Sequence, residues 1–274
     1  MFKRKKNQYP FIVLSFIHIS MLIYTLSKGK DRKRLVSLLL SNIGMAYLFE
    51  YIVFNLFQSY IYKPKLLKNK NFDNLLGAIF SQAIFVPITA LFITSFKLGW
   101  KVKLLFGLYF TLIEKFFIFL GIFNTNWWRT TFTATLIPLY FTLSDFWDKH
   151  LQKKTPIVLF ISVFKALVVL NSTFLFILAV FRKLRFGLGF FHSWREHFIL
   201  APIYTIIVAF FTTCMIEKHN FIKILSLRIL LDFFLKRSRI LKSNLPIMLE
   251  LVLHITMLFV AKGLRKLIYG NRND

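Results

Sequence analysis

Eight apolar stretches of membrane-spanning length, separated by short basic connections, decide what this chain can fold into. A bilayer's hydrocarbon core is about 30 Å thick and a helix rises about 1.5 Å per residue, so a span needs about 20 apolar residues. Stretches of this kind run Tyr9–Ser27, Leu35–Tyr62, Leu75–Phe96, Trp100–Phe123, Trp127–Phe146, Pro156–Phe181, Phe198–Ile216 and Leu245–Ala261. They predict an all-α chain: a polytopic bundle of about eight transmembrane helices, forming a single integral membrane domain over residues 1–274. Trp100, Trp127, Trp128, Trp147 and Trp194 all fall at or near the ends of these stretches. That is where a ring with an apolar body and a polar N–H sits best. No internal repeat, Gly/Ser-rich linker or separable domain is visible.

Composition excludes the main alternatives. Hydrophobic residues are 57% of the chain, 35 of them Phe, so it is neither a disordered polycation nor an ordinary soluble enzyme. Lys and Arg number 37 against 11 Asp and Glu, a formal charge of +26. This charge is scattered between spans rather than gathered on one domain, which argues against nucleic acid as a partner. The single cysteine, Cys214, excludes an internal disulfide. Lys3–Lys6 followed by an apolar run has the outline of a signal peptide. The run continues into Ser27-Lys28-Gly29-Lys30 with no small-x-small site, so it is expected to remain as a helix. The composition, rich in Lys, Phe, Ile and Asn, suits an AT-rich bacterial genome and a bacterial cell membrane. Basic residues divide almost equally between the two sets of connections, so the positive-inside rule gives no orientation.

Phe221–Leu241 has a pattern of its own. At 100° per residue, Arg228, Asp232, Lys236 and Arg239 gather on one side and Leu227, Leu230, Leu231 and Phe234 on the other. This predicts an amphipathic helix lying in the interface with its basic side toward lipid phosphates. Anionic membrane lipids are the partner it implies, with Lys63, Lys65, Arg228, Lys236, Arg237 and Arg239 as headgroup contacts. A ninth, imperfect span is the alternative.

Ionisable groups inside spans cost about 2.5–3.5 kcal/mol each, so they face protein or a wet cavity. In the second stretch Tyr47, Tyr51, Asn55, Gln58 and Tyr62 follow helical spacing beside Glu50. With Glu114 and Lys165 they are expected to line a polar pocket, Lys165 pairing with one of the carboxylates. Gly107, Glu114 and Gly121 recur every seven residues, a face on which a neighbouring helix can come close. Asp73 is expected to cap the third helix. Asp145 lies on a Thr-rich face with Pro138. Glu250 and His254, spaced i,i+4, form an acid–base pair in outline.

The catalytic candidates are therefore Glu50, Glu114, Asp145, Glu250 and His254, with no nucleophile identified. His192 and His197 are five apart and do not share a helical face, so no metal site is expected. No cofactor motif is present. A structural or accessory membrane component without catalysis is favoured, with a membrane protein as a possible partner. An intramembrane enzyme acting on a lipid or its headgroup comes second, and a transporter of small solutes or ions third.

Overall fold

The computed structural model describes residues 7–216 and 220–270; the Lys3–Lys6 cluster lies outside them. Its contacts divide the chain into two compact units that meet at Thr155 and Pro156. Among the described residues there are nine helices and four short strands. The first unit holds α1 (Gln8–Lys28), α2 (Arg32–Leu56), β1 (Tyr60–Tyr62), α3 (Lys70–Ser95), α4 (Trp100–Phe119), β2 (Phe123–Thr125) and α5 (Thr130–Gln152). The second holds α6 (Pro156–Val180), β3 (Leu184–Phe186), α7 (Trp194–Ile216), α8 (Phe221–Arg237), β4 (Leu241–Ser243) and α9 (Ile247–Tyr269). Six helices, α1, α2, α3, α6, α7 and α9, are long and apolar enough to cross a membrane. Large apolar side chains such as Phe16, Phe119 and Phe233 stand exposed along the helices, as a lipid-facing surface requires. The chain is a multi-pass helical membrane protein.

A repetition that the sequence does not display is present in the order of the elements. From α2 to α5 the order is helix, strand, helix, helix, strand, helix, and from α6 to α9 it is the same. In each half the two strands pair antiparallel, Tyr60 with Thr125 and Leu184 with Ser243. The steps from Arg32 to Pro156, Tyr60 to Leu184 and Lys70 to Trp194 are equal. Details recur as well. Gln58 and Arg182 take a left-handed φ before the first strand of each half, and Gly121 (φ 68°) and Arg239 (φ 56°) before the second. The Lys63 N–H donates to the Ile122 carbonyl at 2.8 Å, and that of Gly187 to Ile240 at 2.9 Å. Asn126 donates to Ser59 and Asn244 to Lys183 in the same manner. In element order, strand pairing and turn geometry the second half duplicates the first, which is preceded by one extra helix.

Several boundaries differ from the sequence reading. The second stretch stops being helix at Leu56, and Tyr62 belongs to a strand. Within α2 the last turn, Tyr51–Leu56, is a wide π turn, and α3 has another over Phe80–Phe85. The second ends just before Pro87, whose missing N–H cannot serve a regular turn. Asn69, not Asp73, caps α3 by accepting the Asn71 N–H at 2.9 Å. Asp73 instead accepts the backbone N–H groups of Lys65, Leu66 and Leu67, tying down the loop after β1. Gly107 meets α5 directly: a Cβ there would lie 2.7 Å from Pro138 Cγ. A Cβ at Gly121 would meet nothing within 4 Å, and its left-handed φ serves the turn before β2.

α8 is turned the opposite way from the expected surface helix. Arg228 is only 3% exposed, while Leu230 and Phe233 are 65% and 67% exposed. Its polar side faces the second unit, where the charges find partners, and its apolar side faces out. Of the expected headgroup contacts, Arg228 is buried and donates to Asn171, and Lys236 is engaged by Glu250.

Candidate functional site

In the first unit α2, α3, α4 and α5 enclose a cavity of about 390 Å³. One buried carboxyl, Glu114, stands on its wall, and a second, Glu50, lies behind the wall residues Tyr60 and Gln82. Glu50 is 6% exposed and sits immediately before the π turn of α2. The Tyr60 hydroxyl donates to Glu50 Oε2 at 2.7 Å, and the Gln82 amide donates to the same oxygen at 3.0 Å. Gln82 comes from the π turn of α3, so the two irregular turns meet at one carboxylate. Wide turns of this kind recur at functional sites because they re-aim side chains the regular helix would stack.

Glu114, 8% exposed on α4, is held by a relay from the next helix. The Trp128 ring N–H donates to Thr133 Oγ1 at 2.9 Å, and the Thr133 hydroxyl donates to Glu114 Oε2. Each carboxyl thus has one bonded oxygen. The other oxygen, Oε1 in both cases, is buried and has no hydrogen-bond partner.

Strand alternation supplies the aromatic wall. In β1, Tyr60 and Tyr62 point to one side and Ile61 to the other. The Tyr60 ring lies 5.1 Å from Phe123 and 5.3 Å from Trp128, and Tyr62 lies 4.8 Å from Phe123. Phe110 and Phe117 of α4 complete this side. Exposed Phe49 on α2 and exposed Leu139 and Leu143 on α5 also line the cavity, so its mouth opens between those helices through an apolar rim.

Of the pocket expected from sequence, the cavity takes Tyr62 and Glu114, with Glu50 beside it through Tyr60 and Gln82. Tyr47, Tyr51, Asn55 and Gln58 are not on its wall. The π turn breaks the 100° wheel after Glu50 and the helix then ends, leaving Gln58 exposed in a left-handed turn. Lys165 is buried on α6, in the second unit. Tyr60, Gln82, Trp128 and Thr133 were not anticipated. Gln82 was the readable one, since a lone amide in an apolar span calls for a partner.

The other acids each have polar partners. Asp145 pairs with Lys103 at 2.5 Å and accepts the Thr94 hydroxyl at 2.6 Å. In the second unit Glu250 and His254 do not pair. Glu250 takes Lys236 and the Ser243 hydroxyl, and His254 Nε2 lies 3.1 Å from Asp232 Oδ2. Asp232 Oδ1 also accepts the Tyr204 hydroxyl at 2.7 Å, and Arg228 donates to Asn171 at 3.4 Å. These groups surround a residual space of only about 50 Å³. His197 Nδ1 accepts the Phe186 N–H at 3.0 Å, so that ring nitrogen is occupied. Of the remaining headgroup candidates, Lys65, Arg237 and Arg239 are exposed and Lys63 is half-buried.

Comparison with protein-family models, with curated proteins and with solved structures gives no match.

Proposed function

We propose that the protein is a non-catalytic multi-pass membrane protein whose first unit holds a small lipophilic molecule, reached sideways from the bilayer. The observation that carries this reading is the cavity between α2 and α5, large enough for a small molecule and rimmed by exposed Phe49, Leu139 and Leu143. A mostly apolar cleft with a few convergent polar groups is the general form of a small-molecule site. An apolar rim favours a ligand arriving through lipid. Among the catalytic candidates only Glu50 and Glu114 adjoin a cavity of this size.

In this reading α4, α5 and α8 also cross the membrane, giving nine spans in place of eight and a surface helix. α4 and α5 have 20 and 23 residues, enough for about 30 Å or more. α8 has 17, the shortest workable length, and stands in the second half where α4 stands in the first. Its inward polar face and outward apolar face suit a spanning helix. With a charge of +26, anionic lipids are the favoured surroundings, and exposed Lys65, Arg237 and Arg239 are available to their phosphates.

The duplication favours transport as a second reading. Membrane carriers are often built from paired repeats, with substrate held near interrupted helices, and Glu50 and Gln82 lie at such interruptions.

Photolabelling tests the cavity. A diazirine-bearing alkylbenzene added to the protein in lipid nanodiscs should label Phe49, Ile113, Leu139 or Leu143 saturably. Ala46→Phe, which fills the wall at a buried position, should reduce that labelling several-fold while the protein stays monodisperse. Non-saturable labelling spread evenly over the outer apolar surface would contradict the reading.

A further inference from the structure

We infer that the first unit's cavity is a site for a small hydrophobic organic cation, an alkylated or aromatic ammonium, with its positive centre beside Glu114 Oε1. The inference deepens the proposal that the cavity holds a lipophilic molecule and rests on it.

Three observations point to a cation. Glu114 lines the cavity, is 8% exposed, and keeps one oxygen without a hydrogen-bond partner. The adjoining Glu50 does the same. Among the described residues lining the cavity none is Lys, Arg or His, so these bring no countercharge into it. A buried carboxylate is stabilised when a cation or donor meets it and penalised when none does. Tyr60, Phe117, Phe123 and Trp128 line the same cavity, and the faces of such rings attract positive charge. A hard metal ion would need several oxygen ligands in place of these rings. This lining favours a cation that is bulky, weakly hydrated and partly apolar.

The second half of the duplication shows the same position with basic side chains already near the acid. Asp232 precedes β4 by as many residues as Glu114 precedes β2. Asp232 is met by His254 at 3.1 Å, and Arg228 lines the same space one helical turn earlier. Arg228 falls at the position of Phe110 in the first half. With these side chains in place the space shrinks to about 50 Å³. In the first half the acid is kept, the basic side chains are missing, and the space stays open at about 390 Å³. A guest cation would stand where the second unit uses its own.

An isosteric pair separates charge from shape. Benzyltrimethylammonium and neopentylbenzene have the same skeleton and differ in one atom, nitrogen against carbon. Binding of each to the full-length protein in nanodiscs of uncharged lipid is measured by equilibrium dialysis against empty nanodiscs. The expected result is that the ammonium binds about 10-fold or more tighter than the hydrocarbon. The net charge of +26 works against nonspecific cation binding, so such a preference has to come from a local site. Glu114→Gln should bring the two ligands within about 2-fold of each other while keeping the hydrocarbon bound. The comparison on the unaltered protein stands whether or not that variant folds. Equal binding, or tighter binding of the hydrocarbon, overturns the cation assignment and leaves the cavity reading intact. A full ammonium preference persisting in Glu114→Gln overturns the assignment to Glu114. Binding of neither compound defeats the cavity reading itself.

Discussion

A leucine at position 107 is expected to lower the melting temperature of the detergent-solubilised protein by about 5–10 °C. Gly107 is where α4 comes closest to α5. Even a methyl group there would stand 2.7 Å from Pro138 Cγ and 3.1 Å from Cδ, and both belong to a rigid ring. Pro138 has no N–H to offer the Ala134 carbonyl, and that oxygen would lie 3.7 Å from the new Cβ. Relief requires the helices to part. Overpacking of this kind costs about 1–3 kcal/mol, and about 1 kcal/mol moves the melting point of a unit this size by roughly 2–4 °C. The same parting would loosen the cavity wall, because Phe110, Ile113, Glu114 and Phe117 face Thr133, Leu136, Ile137 and Tyr140 across that seam. Gly263→Leu, at an open position on α9, is the control and should leave the melting point unchanged. Equal stability of the Gly107 and Gly263 variants would mean that α4 and α5 do not meet as described.

Asp232→Ala is expected to destabilise the second unit by about 3 kcal/mol. Asp232 accepts the Tyr204 hydroxyl and faces His254, with buried Arg228 one turn away. Removing one member of a buried charged cluster strands the others, a loss of about 3–5 kcal/mol in general. The side chain's 15% exposure puts it at the lower end. Adding Arg228→Met should restore at least half of the loss, since the stranded guanidinium is then replaced by an apolar chain. Chemical denaturation of the single and double variants measures both numbers. If α8 lay on the membrane surface with Asp232 in water, the single substitution would change stability by under about 1 kcal/mol and the second would rescue nothing. The same measurement therefore tests the inward turn of α8.

The spans were legible because lipid imposes a length that few other environments do, and six of the stretches reappear as candidate spans. Glu50 and Glu114 were legible because a carboxyl in an apolar helix has to be accounted for. Their partners were harder to see. Tyr60 and Tyr62 lie in a strand of three residues, too short for alternation to stand out from helical spacing. The π turn of α2 invalidates the 100° wheel just where the wheel puts Tyr51, Asn55 and Gln58 on one face. For α8 the wheel grouped Arg228, Asp232 and Lys236 correctly but could not say where that group looked. In water a polar face turns outward, whereas against lipid it turns to protein, and the residues are the same in both cases. The duplication left no sequence trace because paired positions keep a role rather than an identity. Examples are Tyr62 and Phe186 in the strands, and Glu114 and Asp232 at the acids.

Anomalous diffraction from crystals grown with para-bromobenzyl-trimethylammonium tests the central claim directly. One strong bromine peak is expected inside the first unit between α2 and α5, with the ammonium within about 6 Å of a Tyr60 or Trp128 ring centre and next to the Glu114 carboxylate. Bromine peaks confined to the outer apolar surface, with the cavity closed by its own side chains, would contradict it.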